Sequence, residues 1–159
     1  MTRQFSVLIA AAGSALLLAG AWTFQAMGYL PCAMCYWQRW PHMAAVVIGI
    51  AALLIGVRSG AGRALAWLGA LSAAITSGIG MFHAGVEKKW WPGPSSCTGS
   101  GQDLGTLSGA DLLATDSAPR LIMCDQVSWE MWGLSMAGWN ALFSLILVGI
   151  WVYAATRRD

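Results

Sequence analysis

Hydrophobic and polar positions along this chain come in long blocks. Residues 5–38 carry no charge, and the part from about 5 to 27 is long enough to cross a hydrocarbon core, which takes about 20 residues. A second apolar run covers 40–57, with His42 as its one ionisable group. A Gly/Ser-containing turn at 58–63 leads into a third run over 64–86, interrupted only by His83. A polar section rich in Gly, Ser and Pro fills 87–130, and a last apolar run spans 131–156. The blocks predict an all-α membrane protein, a four-transmembrane-helix bundle with helices over about 5–27, 40–57, 64–86 and 131–156. Residues 1–159 form one membrane domain with two outward loops, about 28–39 and 87–130. Ser108-Gly109-Ala110-Asp111 has the form of a capping box, so the second loop is expected to carry a short helix on the membrane surface.

Composition agrees with this class. The chain is 57% hydrophobic and only 10% charged, against about 25% charged in soluble domains. Its 19 glycines suit close helix contacts, and its 10 tryptophans suit a lipid–water interface. Trp37, Trp40, Trp90, Trp91, Trp129 and Trp132 fall near the outward helix ends as an aromatic belt, and Lys88 and Lys89 are expected to anchor one of those ends at the headgroups. The net charge of +2 gives no ground for nucleic-acid binding. Ala19-Gly20-Ala21 fits a small-x-small cleavage site, yet apolar residues flank it and only Arg3 precedes it, so the first segment is read as a retained helix.

Charge sets the orientation. Arg3, Arg58, Arg63, Arg157 and Arg158 lie on one side, close to helix ends, where the positive-inside rule has most force. Arg39, Lys88, Lys89 and Arg120 lie on the other. Both termini are therefore expected in the cytoplasm, and all four cysteines outside, where disulfides persist.

The chemistry concentrates in Pro31-Cys32-Ala33-Met34-Cys35-Tyr36-Trp37-Gln38-Arg39. A thiolate at the start of a helix is favoured by the unpaired N–H groups there and by a nearby cation, and Arg39 stands one turn after Cys35. Pro41 leaves two possibilities: a helix that begins before it and kinks, or regular helix from Pro41 with Cys32-x-x-Cys35 in an extended lead-in. Cys97 follows Pro92-Gly93-Pro94-Ser95-Ser96, and an exposed setting that a partner can reach is expected for it. A bridge between Cys97 and Cys124 would close a loop of about 27 residues, worth roughly 3–4 kcal/mol on the chain-entropy model. Two disulfides on one face would also allow electrons to pass by successive thiolate attack. His83, an ionisable group within a membrane helix, is a functional candidate, and Glu87 one turn on is placed to orient its ring. His42 is weaker and is read as interfacial.

Taken together these features resemble the DsbB family, the disulfide bond formation proteins of bacterial inner membranes. The resemblance rests on the hydropathy layout, Pro31-Cys32-x-x-Cys35 with Arg39, and a histidine near the end of the third helix. It also rests on Pro92-x-Pro94 before Cys97, and on Cys124 followed by Trp129 and Gly133-Leu134-Ser135-Met136-Ala137-Gly138-Trp139. The outer loop has its own length and sequence.

The resemblance implies a periplasmic, thioredoxin-fold, DsbA-like dithiol partner that forms a mixed disulfide at Cys97. Released Cys124 then attacks Cys32 and frees Cys35, which donates to a membrane quinone, ubiquinone or menaquinone, with Arg39 and His83 lining its site. Cys32, Cys35, Cys97 and Cys124 are thus the implied catalytic residues, and no metal is implied. Three alternatives stand beside this reading: a vitamin K epoxide reductase-type oxidase, a small membrane protein with two structural disulfides, and a cysteine zinc site.

Overall fold

The computed structural model describes residues 2–95, 97 and 123–157. Among the described residues, four helices are long and apolar enough to span a membrane: α1 Arg3–Ala26, α2 Ala33–Ile55, α3 Gly60–Glu87 and α4 Met136–Thr156. Each begins at a side chain that takes an otherwise orphaned N–H: Thr2 that of Phe5, Cys32 that of Cys35, Ser59 that of Gly62, and Ser135 that of Gly138. The surface helix expected at 108–113 lies outside the described residues.

The chain is arranged for a lipid solvent. Large apolar side chains point outward, with Leu16 72% and Leu54 82% exposed, while the interior holds Ala10, Ala66, Ala73, Ser6, Ser14 and Thr76. Lipid tails are as apolar as leucine, so helices gain by close backbone approach and interhelical hydrogen bonds. Ser77 Oγ donates to the Ala141 carbonyl at 3.0 Å, joining α3 to α4, and Arg3 donates to the Val57 and Arg157 carbonyls at the end away from the cysteines.

Trp151 of α4 is the largest fully buried side chain, and glycine makes room for it. A Cβ on Gly69 would stand 2.6 Å from the Trp151 ring. Overpacking of this kind costs about 1–3 kcal/mol. Gly69→Ala should therefore lower the thermal midpoint in detergent by several degrees, whereas Gly78→Ala, with nothing within 4 Å, should leave it nearly unchanged. Equal midpoints would mean that α3 and α4 do not pack as described.

Two helix starts differ by five residues or more from those the sequence suggests. Helix α2 begins at Ala33, with Pro41 inside it, so residues expected in a loop belong to the helix. Its start is fixed by Cys32 capping Cys35 N at 3.3 Å. Pro41 cannot supply an N–H to the preceding turn, and nearby the Thr76 hydroxyl donates to the Gln38 carbonyl at 3.0 Å. Helix α4 begins at Met136, because a minimal antiparallel ladder, β1 Glu130–Met131 with β2 Leu134–Ser135, precedes it. Trp132 and Gly133 make its two-residue turn, both with positive φ (53° and 77°), the conformation that matches strand twist.

Candidate functional site

The N-terminus of α2, the C-terminal part of α3 and the segment before β1 meet at one end of the bundle. There Cys32, Met34, Cys97 and Cys124 form a buried cluster with Cys35 packed against it. Cys97 and Cys124 are joined as a disulfide, and the Cys124 N–H donates to the Cys97 carbonyl at 2.7 Å. Cys97 is 5% exposed, which corrects the exposed setting expected from its Pro- and Ser-rich neighbourhood. Local composition is open there, but tertiary contacts with Cys32 and Met34 cover the sulfur.

Cys32 and Cys35 are both free, with their sulfurs 3.0 Å apart. The Cys35 sulfur first, and then burial, push the Cys32 thiol far above the ordinary cysteine range. Cys35 is the half-buried member, and with Cys32 it lines a partly open cavity of about 430 Å³ between α1, α2, the end of α3, α4 and the segment before β1. Volumes of this order hold small-molecule ligands. Arg39 lines the same cavity; its guanidinium donates to Gln25 Oε1 at 2.7 Å and the Ala21 carbonyl at 3.4 Å, and lies 5.0 Å from the Tyr36 ring centre. Two hydrogen bonds to α1 thus hold a cation beside Cys35.

His83 sits against the other sulfur, with Nε2 3.6 Å from Cys32 Sγ and 3.9 Å from Glu87 Oε1. What orients its ring is chiefly Gln38, whose Nε2 lies 2.9 Å from His83 Nδ1 and 3.2 Å from the Met34 carbonyl. A carbonyl only accepts, so this corner of Gln38 is its amide nitrogen, and His83 Nδ1 is the acceptor. The His83 proton is therefore on Nε2, on the side of the Cys32 sulfur, and the ring also hydrogen-bonds the Cys124 backbone.

The polarity continues inward. Asn140 Nδ2 donates to Gln38 Oε1 at 2.8 Å and to Thr76 Oγ1 at 3.2 Å, the Thr76 proton being committed to the Gln38 carbonyl. Asn140 Oδ1 then faces His42 Nε2 at 2.9 Å, so His42 also carries its proton on Nε2. A directed hydrogen-bond chain runs His42, Asn140, Gln38, His83, sulfur.

This direction bears on metal binding. Cys32, Cys35 and His83 offer ligand atoms within 4.8 Å of one another. A zinc-ligating histidine presents a lone pair to the metal and donates from its other nitrogen. His83 does the reverse in this arrangement: its lone pair is taken up by Gln38 and its N–H, not a free lone pair, faces the sulfur.

Gln38 and Asn140 were not singled out by the sequence reading. The signal was there for Gln38, because Cys35, Gln38, Arg39 and His42 follow i, i+3, i+4, i+7 spacing on one face of α2. Asn140 gave none beyond being an amide in an apolar run. Lys88 and Lys89, expected to anchor at headgroups, are exposed and also bond within the protein: Lys88 Nζ donates to the Gly133 carbonyl at 3.3 Å and Lys89 Nζ to Asp125 Oδ2 at 2.5 Å. The Lys89 hydrogen bond holds the Asp125 carboxyl below its ordinary range. These contacts tie the end of α3 to the turn after β1 and to the neighbour of Cys124.

A helical membrane bundle that gathers a disulfide and a dithiol at one end, with the dithiol lining a cavity, is a membrane thiol–disulfide protein. The family model for the disulfide bond formation protein DsbB matches residues 3–154, and the chain belongs to the DsbB family. It is 32% identical to disulfide bond formation protein B of Verminephrobacter eiseniae (strain EF01-2) over 160 residues, covering 93% of this chain and 85% of that protein. It is 29% identical to the protein of the same name from Aromatoleum aromaticum, covering 99% and 93%, and 29% identical to that of Polaromonas sp. (strain JS666), covering 100% and 95%. No solved structure matches the chain. The protein is a multi-pass membrane member of a disulfide-forming family.

Proposed function

We propose that the protein is a thiol:quinone oxidoreductase that reoxidises a DsbA-like periplasmic dithiol protein, with Cys32, Cys35, Cys97 and Cys124 as its redox residues. The observation that carries this reading is the packing of the Cys97–Cys124 disulfide on Cys32, while Cys35, 3.0 Å from Cys32, lines the cavity. One pair faces a protein partner and the other a small acceptor. The basic residues at the helix ends away from the cysteines support cytoplasmic termini and a cysteine end in the oxidising compartment.

The residues divide the work as follows. A partner thiolate attacks Cys97 Sγ; one S–S bond forms and the Cys97–Cys124 bond breaks, releasing Cys124 as thiolate. With Cys32–Cys35 oxidised, Cys124 attacks Cys32 from within their shared cluster and Cys35 leaves. The partner's second thiol then displaces Cys97 and leaves as a disulfide, and Cys97 attacks Cys124, restoring their bridge and freeing Cys32; each exchange conserves the number of disulfides. Burial of Cys97 requires the partner to displace its cover first, which protects the resting bridge from other thiols.

The cavity fits a quinone head. Most of its lining is apolar, and two buried polar atoms beside it, Glu87 Oε2 and His42 Nδ1, have no hydrogen-bond partner among the described residues. When bound, the quinone supplies the two-electron acceptor through which the Cys32–Cys35 disulfide is restored. The protein's own contribution is to push the Cys32 thiol up, leaving Cys35 the better nucleophile. Arg39 adds positive charge on the cavity wall, and the His83 N–H steadies Cys32.

The test is turnover in detergent. Reduced DsbA-type protein and quinone are added to the purified protein without air, and quinone absorbance and partner thiols are followed together. Many equivalents of both should disappear in step. Loss of neither, with Cys97–Cys124 intact throughout, would leave a structural disulfide as the reading.

A further inference from the structure

His42 is 3% exposed and lines the cavity two turns below Cys35 on the same face of α2. Its Nε2–H is committed to Asn140 Oδ1 at 2.9 Å, with Ser144 Oγ 3.4 Å from the same nitrogen. The proton cannot be on Nδ1 as well without placing an unpaired charge in the bundle, so Nδ1 is a bare lone pair. It is buried and has no partner among the described residues. Burying an acceptor unpaired is unfavourable, more so where no water competes. The structure holds that acceptor in place by a four-residue chain ending at the redox sulfurs.

Resting on the quinone reading above, we infer that His42 Nδ1 is the hydrogen-bond acceptor for the far hydroxyl of the reduced ring, so that the cavity binds quinol in preference to quinone. The spacing supports it. Seven residues of helix separate Cys35 from His42 by about 10.5 Å at about 1.5 Å per residue. A sulfur–ring contact of about 3.3 Å, a ring with its far oxygen of about 4 Å and a hydrogen bond of about 2.8 Å sum to nearly the same length. Polarity completes the argument. A quinone oxygen only accepts and would face a lone pair, whereas a quinol oxygen carries the proton that Nδ1 lacks. The exchange balances: two thiols lose two electrons and two protons to become a disulfide, and the ring gains two of each. Preferring the reduced form makes the bound acceptor a stronger oxidant of the Cys32–Cys35 dithiol.

The test reads binding rather than turnover. A p-benzoquinone with a short alkyl tail, and separately its quinol, are titrated without air into the purified protein, with tryptophan fluorescence as the signal. His42→Leu should weaken quinol binding about tenfold and leave quinone binding within about twofold. A tenfold change in that ratio corresponds to about 30 mV in the potential of the bound two-electron couple. His42→Gln, which keeps a donor for Asn140 and adds an acceptor oxygen, should restore most of the ratio at whatever stability the variant has. The unmodified protein gives an independent reading that needs no variant to fold: the ¹⁵N resonance of His42 Nδ1 should move upfield with quinol and stay with quinone. Binding of both ligands with an unchanged ratio and an unmoved resonance would overturn the inference alone. Binding of neither would overturn the quinone reading with it.

Discussion

Cys35→Ser should abolish quinone reduction, lowering turnover by at least about a thousandfold, while the Cys97–Cys124 bridge still exchanges with the partner dithiol. The magnitude follows from the loss of a nucleophile that no neighbour replaces. Cys32 cannot substitute, because it is buried and its Sγ is the N-cap of α2. Serine at 35 can still donate its backbone N–H to Cys32 Sγ, as Cys35 does at 3.3 Å, so the helix start should survive. The check is a paired assay: quinone absorbance for turnover, and non-reducing gel analysis for partner adducts. Retained turnover in Cys35→Ser would exclude Cys35 as the exit for electrons.

Arg39→Ala is expected to have the next largest effect, a fall of about a hundredfold in kcat/KM for quinone. Removing one preorganised group that stabilises developing negative charge in a water-poor site costs about 10²–10³ in rate. Arg39 is the cation that lines the cavity with Cys35, and its hydrogen bonds to Gln25 and Ala21 fix it there before any ligand arrives. Arg39→Lys keeps the charge but not the planar fork, so it should recover part of the loss. Steady-state kinetics with quinone as the varied substrate decides this. An alanine variant within twofold of the unmodified protein would remove Arg39 from the site.

The class of fold was readable because a membrane span is a matter of length and composition, and the four uncharged blocks correspond to the four long helices. Their ends were less readable. Pro41 was a reasonable boundary by local rules, but the helix runs through it and capping by Cys32 moves the start of α2 back to Ala33. The Trp132–Gly133 turn is too short to show in a hydropathy pattern.

At the site, charge and sulfur stood out, and amides did not. Cys32, Cys35, Cys97, Cys124 and His83 are brought to one end of the bundle, and Arg39 to the cavity wall. Gln38 and Asn140 decide which nitrogen of each histidine carries the proton, yet a neutral amide has no distinctive spacing or charge to mark it. Burial of Cys97 was unreadable for a different reason: its cover comes from Cys32 and Met34, more than sixty positions away along the chain. His42, taken as interfacial, proves to be an interior residue whose ring is held at one nitrogen and bare at the other.

The most direct measurement isolates the inner pair. Protein carrying Cys97→Ser and Cys124→Ser, with Cys32 and Cys35 reduced, is mixed without air with one equivalent of quinone, and free thiols and quinol are counted. One quinol formed for every two thiols lost would establish Cys32–Cys35 as the junction between disulfide exchange and quinone. Both thiols remaining free with the quinone unreduced, in protein whose fold is intact, would contradict it.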